Sequence, residues 1–280
     1  MGSFRYSNED CAATMNTTFI FGGHVRANGI RQHYLRYGGK GQPLVVIPGI
    51  TSPAMTWGFV GERLGEQFDT YILDTRGRGL SEVPANADYS LDTYAKDAAD
   101  FADALGLKQY LLVGHSMGAR IAARMSTLYG TPLHKIVLVD PPLSGPGRRP
   151  YVKDLAFYLD SIHEARAGLA DIERIRRTYP SWTDEQLRTR GEWLHTCDDS
   201  AIEKSLYGLN NEDIFGDLPK IRVPTLLLVA GKGGVIDQSD INEIREVAPS
   251  IKTIRIDHCS HMIPFDDLEA FLAAVVGFLT

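Results

Sequence analysis

The sequence predicts an α/β protein: a mostly parallel central sheet with helices on both faces and a helical insertion. Three observations lead there. Short apolar runs at residues 44–47, 69–73, 110–113 and 135–139 have the character of buried parallel strands, and they alternate with stretches of helical periodicity. That rhythm stops after residue 142 and returns at 224, so the insertion falls between. The run at 110–113 leads directly into Gly114-His115-Ser116-Met117-Gly118, and a helical pattern carrying Ile121, Met125 and Leu128 follows.

In chain order, residues 17–25 and 30–37 are rich in β-formers, and the Ala27-Asn28-Gly29 junction reads as a hairpin turn. The strand at 44–47 ends in Pro48-Gly49-Ile50-Thr51. Residues 54–67 are expected to be helical, with Trp57, Val60 and Leu64 turned inward. The strand at 69–73 is followed by DTRGRGLS. Ser90 is placed to cap a helix over 91–105 that Gly106 stops. The strand at 135–139 ends in Asp140-Pro141-Pro142. Residues 143–218 open with GPGRRP and continue as amphipathic helices rich in Arg, Tyr and Trp. The sheet resumes at 224–229, followed by a helix at 238–247, a strand at 251–256 and a last helix from Pro264. The expected organisation is a core of residues 17–142 and 219–280, with residues 143–218 as a helical cap over the carboxyl edge of the sheet.

A chain of 280 residues suits one sizeable α/β domain with an inserted subdomain. Its 44% hydrophobic and 23% charged content is ordinary for a globular protein. With 29 basic against 35 acidic residues the net charge is −6, so no nucleic-acid footprint is expected. An anionic substrate would need a local basic cluster to oppose that field. Cys11, Cys197 and Cys259 are odd in number and far apart, which argues against a disulfide framework or a metal site and fits a reducing cytoplasm. No apolar run approaches the roughly 20 residues that span a bilayer. Residues 1–14, MGSFRYSNEDCAAT, lack the apolar stretch of a secretory signal, and residues 1–16 are expected to form a disordered extension.

The strand, G-x-S-x-G and helix at 110–128 form a nucleophile elbow. The turn is too tight for side chains close to the serine backbone, hence glycine two residues to either side. Ser116 is left with its hydroxyl exposed, and the N-terminus of the next helix points at the reacting centre. A serine hydroxyl needs a base within hydrogen-bond reach and an acid to orient that base. His261, just after the last strand, is preferred to His258 as the base. For the acid, the loop after the strand at 224–229 reads Gly231-Lys232-Gly233-Gly234, with no carboxylate where one is common. Asp237 lies three residues late. Asp140, at the end of the preceding strand, is the preferred acid and Asp237 the alternative. His115 is expected to support the turn, and Cys259 to pack. The two oxyanion donors are expected to be the backbone amides of Met117 and Ile50, with Gly49 allowing close approach.

With these residues in view, the chain resembles the α/β-hydrolase superfamily over residues 17–280. PGITSPAMTWGF, LDTRGRGLS, LVGHSMGAR, LVDPPLSGPGRR, EWLHTC, VAGKGGVI and HMIPFDDLEAF together resemble its amide-cleaving deformylase branch in nicotinic-acid breakdown, and a related hydrolase of vitamin B6 breakdown. The resemblance implies Ser116, Asp140 and His261 as the triad. It also implies cleavage of the formyl amide of N-formylmaleamate through a formyl-serine, without metal or organic cofactor.

A small anionic amide calls for a guanidinium fork in the pocket. Arg148 and Arg149 at the start of the cap, and Arg177 within it, are the candidates. Trp193, His195 and Tyr207 are candidate cap walls, and Trp57 could line the pocket below. Arg76 and Arg78 are expected to hold their own loop. Competing readings are an enol-lactonase or carbon–carbon bond hydrolase of the same fold, and a non-catalytic small-ligand receptor.

Overall fold

The structure is a computed structural model that describes residues 17–280; the expected extension at 1–16, with Cys11, lies outside them. Eight strands run in chain order: β1 (Phe19–Ala27), β2 (Ile30–Tyr37), β3 (Pro43–Ile47), β4 (Asp69–Leu73), β5 (Tyr110–His115), β6 (Leu133–Val139), β7 (Thr225–Ala230) and β8 (Lys252–Ile256). They form one sheet in the order β1-β2-β4-β3-β5-β6-β7-β8. The β1–β2 and β2–β4 pairs are antiparallel and all others parallel. The expected hairpin turn is present: Asn28 and Gly29 have φ of 45° and 77°, the left-handed pair that a tight hairpin demands.

The described residues also hold ten α-helices: α1 (Gly58–Leu64), α2 (Leu91–Ala104), α3 (Met117–Leu128), α4 (Leu155–Arg166), α5 (Ile172–Arg176), α6 (Asp184–Leu194), α7 (Asp199–Asn211), α8 (Gln238–Val247), α9 (Ile263–Asp266) and α10 (Leu268–Leu279). Two expected helices are shorter or divided. Residues 54–57 form a separate 3-10 turn before α1. The last helix breaks at Asp267, whose extended backbone (φ −151°) lets its carboxylate cap α10 through the Ala270 amide. Ser90 caps α2 as expected.

Because strand side chains alternate between faces, the central strands feed two cores. Val45, Ile47, Leu112 and Leu138 pack with α2, α3 and α8 on one face; Leu44, Val46, Leu111 and Val113 pack with α1 and α10 on the other. Each fully buried Leu or Val contributes about 2 kcal/mol, which is why these strands are apolar on both sides. The register sets up the site. Ile47 lies beside Gly114, and His115 beside Val139, so β3, β5 and β6 end level and their following loops meet. Between β6 and β7 the chain runs through α4 to α7 without a strand.

Candidate active site

Ser116 occupies the sharp step between β5 and α3 with φ 54° and ψ −119°, a conformation that costs a non-glycine residue about 1–3 kcal/mol. The neighbouring glycines show why the step is possible. A Cβ on Gly118 would lie 1.9 Å from the Ile47 carbonyl oxygen, and one on Gly114 would lie 2.2 Å from that of Gly118. No side chain fits at either point. The Ser116 amide donates to the Val139 carbonyl (2.9 Å), tying the turn to β6.

Asp140 follows β6 directly, also with a positive φ (44°), and is completely buried. Its Oδ1 accepts from the Ala230 amide and its Oδ2 from the Val235 amide, both at 3.2 Å. Oδ2 also accepts from Nδ1 of His261 at 2.6 Å. With that proton on Nδ1, the Nε2 lone pair of His261 faces the Ser116 hydroxyl at 2.9 Å. Three residues from three loops therefore form one hydrogen-bonded chain.

His115 anchors it from behind. Its Nε2–H donates to the His261 carbonyl (2.9 Å), while its Nδ1 is buried without a partner. Burial pushes its pKa down to about 3, with the neighbouring His261 adding to the effect, so the ring stays neutral.

The alternatives are committed elsewhere. Asp237 caps α8, accepting from the Ser239 and Asp240 amides, and pairs with Arg149; the Ser239 hydroxyl bond leads the causes that hold its carboxyl well below the usual range. His258 is exposed and bonded to Asp267 (2.8 Å). Cys259 is buried, and burial raises its thiol to about 11, far from a reactive thiolate.

Ile50 and Met117 flank the serine. Met117 is the first residue of α3, so its amide precedes the helical ladder. Among the described residues the Ile50 amide has no acceptor. Its carbonyl, however, is gripped by Nε of Arg78 at 3.0 Å. Arg78 is fully buried and also bonds Tyr94, the Arg76 carbonyl and Ser205 of α7 (2.8 Å). Arg76 forms a bidentate pair with Asp97 and does not face the serine.

A cavity of about 220 Å³ opens over Ser116 and His261. Its floor is Gly49 to Ser52 with His115; its far side is formed by Tyr151, Phe157, Tyr158, Thr178, Tyr179 and Arg190, with Lys153 at the edge. The arginines expected there are not. Arg148 pairs with Asp240 and Glu243 and lies over the Phe215 ring, and Arg149 pairs with Asp237 and Asp240. These ion pairs fasten the start of the helical stretch to α8, so neither guanidinium is available to the cavity. Arg177 is exposed and outside it, as are His195 and Tyr207, the latter 68% exposed. Trp193 is half-buried but does not line it. Trp57 is buried behind His115 (ring centroids 5.3 Å) rather than in the wall.

Arg190 is the residue that sequence reasoning missed. It sits on α6 in TRGEWLH, and the helical face offers the only signal: it is three residues after Leu187 and four before Leu194, both buried. An arginine on that inward face has either a partner or a ligand.

A sheet of this order with a serine elbow and an Asp–His–Ser chain defines a hydrolase fold. Residues 44–274 match the alpha/beta hydrolase family, and the chain belongs to that family. It is 54% identical to N-formylmaleamate deformylase of Pseudomonas putida over 263 residues, covering 94% of this chain and 98% of that protein. It superposes on a crystal structure of N-formylmaleamic acid deformylase from Pseudomonas putida S16 with a TM-score of 0.86 at 46% identity, covering 91% and 100% of the two chains. The 2-(acetamidomethylene)succinate hydrolase of Mesorhizobium japonicum is 25% identical over 88% of this chain and 90% of its own. Among the described residues no helix is long and apolar enough to cross a membrane.

Proposed function

We propose that this hydrolase cleaves the formyl amide of N-formylmaleamate, giving maleamate and formate, as a cytoplasmic step of nicotinate breakdown. The substrate reading is supported by the extended identity to deformylases. The chemistry is carried by the unbroken Ser116–His261–Asp140 hydrogen-bond chain opening on a small cavity.

In the proposed mechanism His261 Nε2 takes the Ser116 proton as Oγ attacks the formyl carbon. The carbonyl oxygen becomes an oxyanion held by the Ile50 and Met117 amides. Asp140 stabilises the imidazolium. The tetrahedral species collapses with cleavage of the carbon–nitrogen bond; His261 returns its proton to the leaving nitrogen, and maleamate departs. Water, deprotonated by His261, then attacks the formyl-serine ester. Breaking the ester bond releases formate and restores Ser116. Residues 143–218 act as a cap in this reading, since α4 and α6 contribute Phe157, Tyr158 and Arg190 to the cavity and so exclude bulk water. Buried thiols at Cys197 and Cys259 suit a reducing compartment.

The test is incubation of the purified chain with N-formylmaleamate, with formate and maleamate measured independently. Equimolar release supports the reading. Hydrolysis of simple esters without formate release from this amide rejects it.

A further inference from the structure

Arg190 is 6% exposed, lines the cavity over Ser116, and pairs with no carboxylate among the described residues. Its recorded bonds are long ones to Thr51, from Nη1 to the carbonyl oxygen (3.3 Å) and from Nη2 to Oγ1 (3.4 Å). The guanidinium also lies over the Tyr179 ring at 5.0 Å and near that of Trp182 at 6.0 Å. A buried cation without a counter-charge is costly, and two long neutral bonds plus aromatic faces offset that only in part. The other well-buried arginines show the contrast: Arg78, also without a carboxylate, is held by the Ile50 and Arg76 carbonyls and the Tyr94 and Ser205 hydroxyls. Arg76 has Asp97, and Arg120 is wrapped by the carbonyls of Pro142, Ser144 and Glu212. Of these four, Arg190 alone lines the cavity over Ser116.

We propose that Arg190 is the carboxylate-binding residue of this site and makes the enzyme selective for short N-acyl amides that carry a free acid. The name of the acid rests on the deformylase reading; the anion site itself does not. Thr51 follows Ile50, so the guanidinium is braced on the residue next to the proposed oxyanion amide. One rigid loop thereby sets the spacing between the group that holds the carboxylate and the group that holds the reacting carbonyl. A short, linear acid spans that spacing, whereas a neutral analogue of the same length leaves the guanidinium buried and unpaired. Exposed Lys153, at the cavity edge, adds positive potential along the approach.

The experiment compares kcat/KM for N-formylmaleamate and for its methyl ester with the wild-type chain, Arg190→Met and Arg190→Lys. The acid-over-ester preference is expected to fall roughly 10²-fold in Arg190→Met. Arg190→Lys keeps the charge and loses the fork, so it retains part of the preference. A merely structural role through Thr51 would depress both substrates together; an unmoved ratio overturns the proposal. Where Arg190→Met does not fold, the wild type decides. Succinate is expected to inhibit its hydrolysis of p-nitrophenyl acetate competitively, and neutral succinamide is not; equal inhibition by the two, or none, overturns the proposal. A wild type that hydrolyses the nitrophenyl ester but not N-formylmaleamate rejects the deformylase reading, and selective inhibition by succinate then still supports the anion site.

Discussion

A Cβ placed on Gly234 would stand 3.0 Å from Oδ2 of Asp140. The end of β6 and the loop after β7 therefore converge on one point beside His261, and this chain supplies its carboxylate from β6 while leaving the other approach bare. The absence of a side chain at Gly234 makes room for the Asp140 carboxylate.

Asp140→Ala is expected to lower kcat by about 10⁴-fold, because His261 loses both its tautomer and its orientation. Asp237→Ala should leave turnover within a few-fold and cost about 1 kcal/mol of stability as a lost helix cap. Combining Asp140→Ala with Gly234→Asp should recover part of the lost rate, the new carboxylate taking the place of the old one once Ala230, whose Cβ would stand 2.8 Å from the added Cβ, shifts to admit it. Steady-state kinetics of the three variants decide; a larger loss in Asp237→Ala than in Asp140→Ala would move the acid.

Arg78 never reaches the cavity, yet it holds the carbonyl of Ile50. In the proposed mechanism it positions the loop that carries the Ile50 amide. Arg78→Met is expected to lower kcat about 10²-fold, near the effect of losing one oxyanion donor, with KM little changed. Arg78→Lys should restore only part, having one point charge for a fork that bonds Ile50, Tyr94 and Ser205. A rise in KM with kcat intact would contradict this.

His115 gives a pH prediction. Its folded pKa of about 3 lies below the ordinary 6.5, so between those values the unfolded chain binds a proton that the folded chain refuses. Its contribution to stability is whole above pH 6.5 and falls as pH drops toward 3, by up to about 1.4 kcal/mol per pH unit. His115→Gln keeps an N–H donor but cannot titrate. Urea midpoints measured from pH 7 to pH 5 should therefore fall less steeply in the variant; parallel slopes would refute the assignment.

Arg149→Ala serves as the surface control. Its side chain is 46% exposed and its partners are Asp237 and Asp240. Exposed pairs contribute little, so kcat/KM for N-formylmaleamate should change less than about threefold and stability by under about 1 kcal/mol. A large rise in KM would return the carboxylate grip to the start of the helical stretch.

Much of the fold, and the meeting of Ser116, His261 and Asp140 at one point, was legible because local chemistry enforced it. Buried strands must be apolar on both faces, and the serine turn cannot exist without Gly114 and Gly118. Gly234 carries no carboxylate, which leaves Asp140 as the preferred acid. The substrate side was not legible. Arg148, Arg149, Arg177 and Arg190 are chemically alike, and only tertiary contacts determine which of them meets acids, solvent or the cavity. Trp57, expected to turn inward from a helix over 54–67 and offered as a pocket wall, is instead buried against His115 in a 3-10 turn. The division of the last helix at Asp267 was also missed, since an aspartate within an apolar helical pattern gives no warning that it will act as a cap.

The most direct test of the central claim is formate release from N-formylmaleamate by the wild type and by Ser116→Ala, each checked for folding by circular dichroism. Steady release by the wild type and a loss of several orders of magnitude in the folded variant is the expected result. Comparable release by both, or none by either, would contradict it.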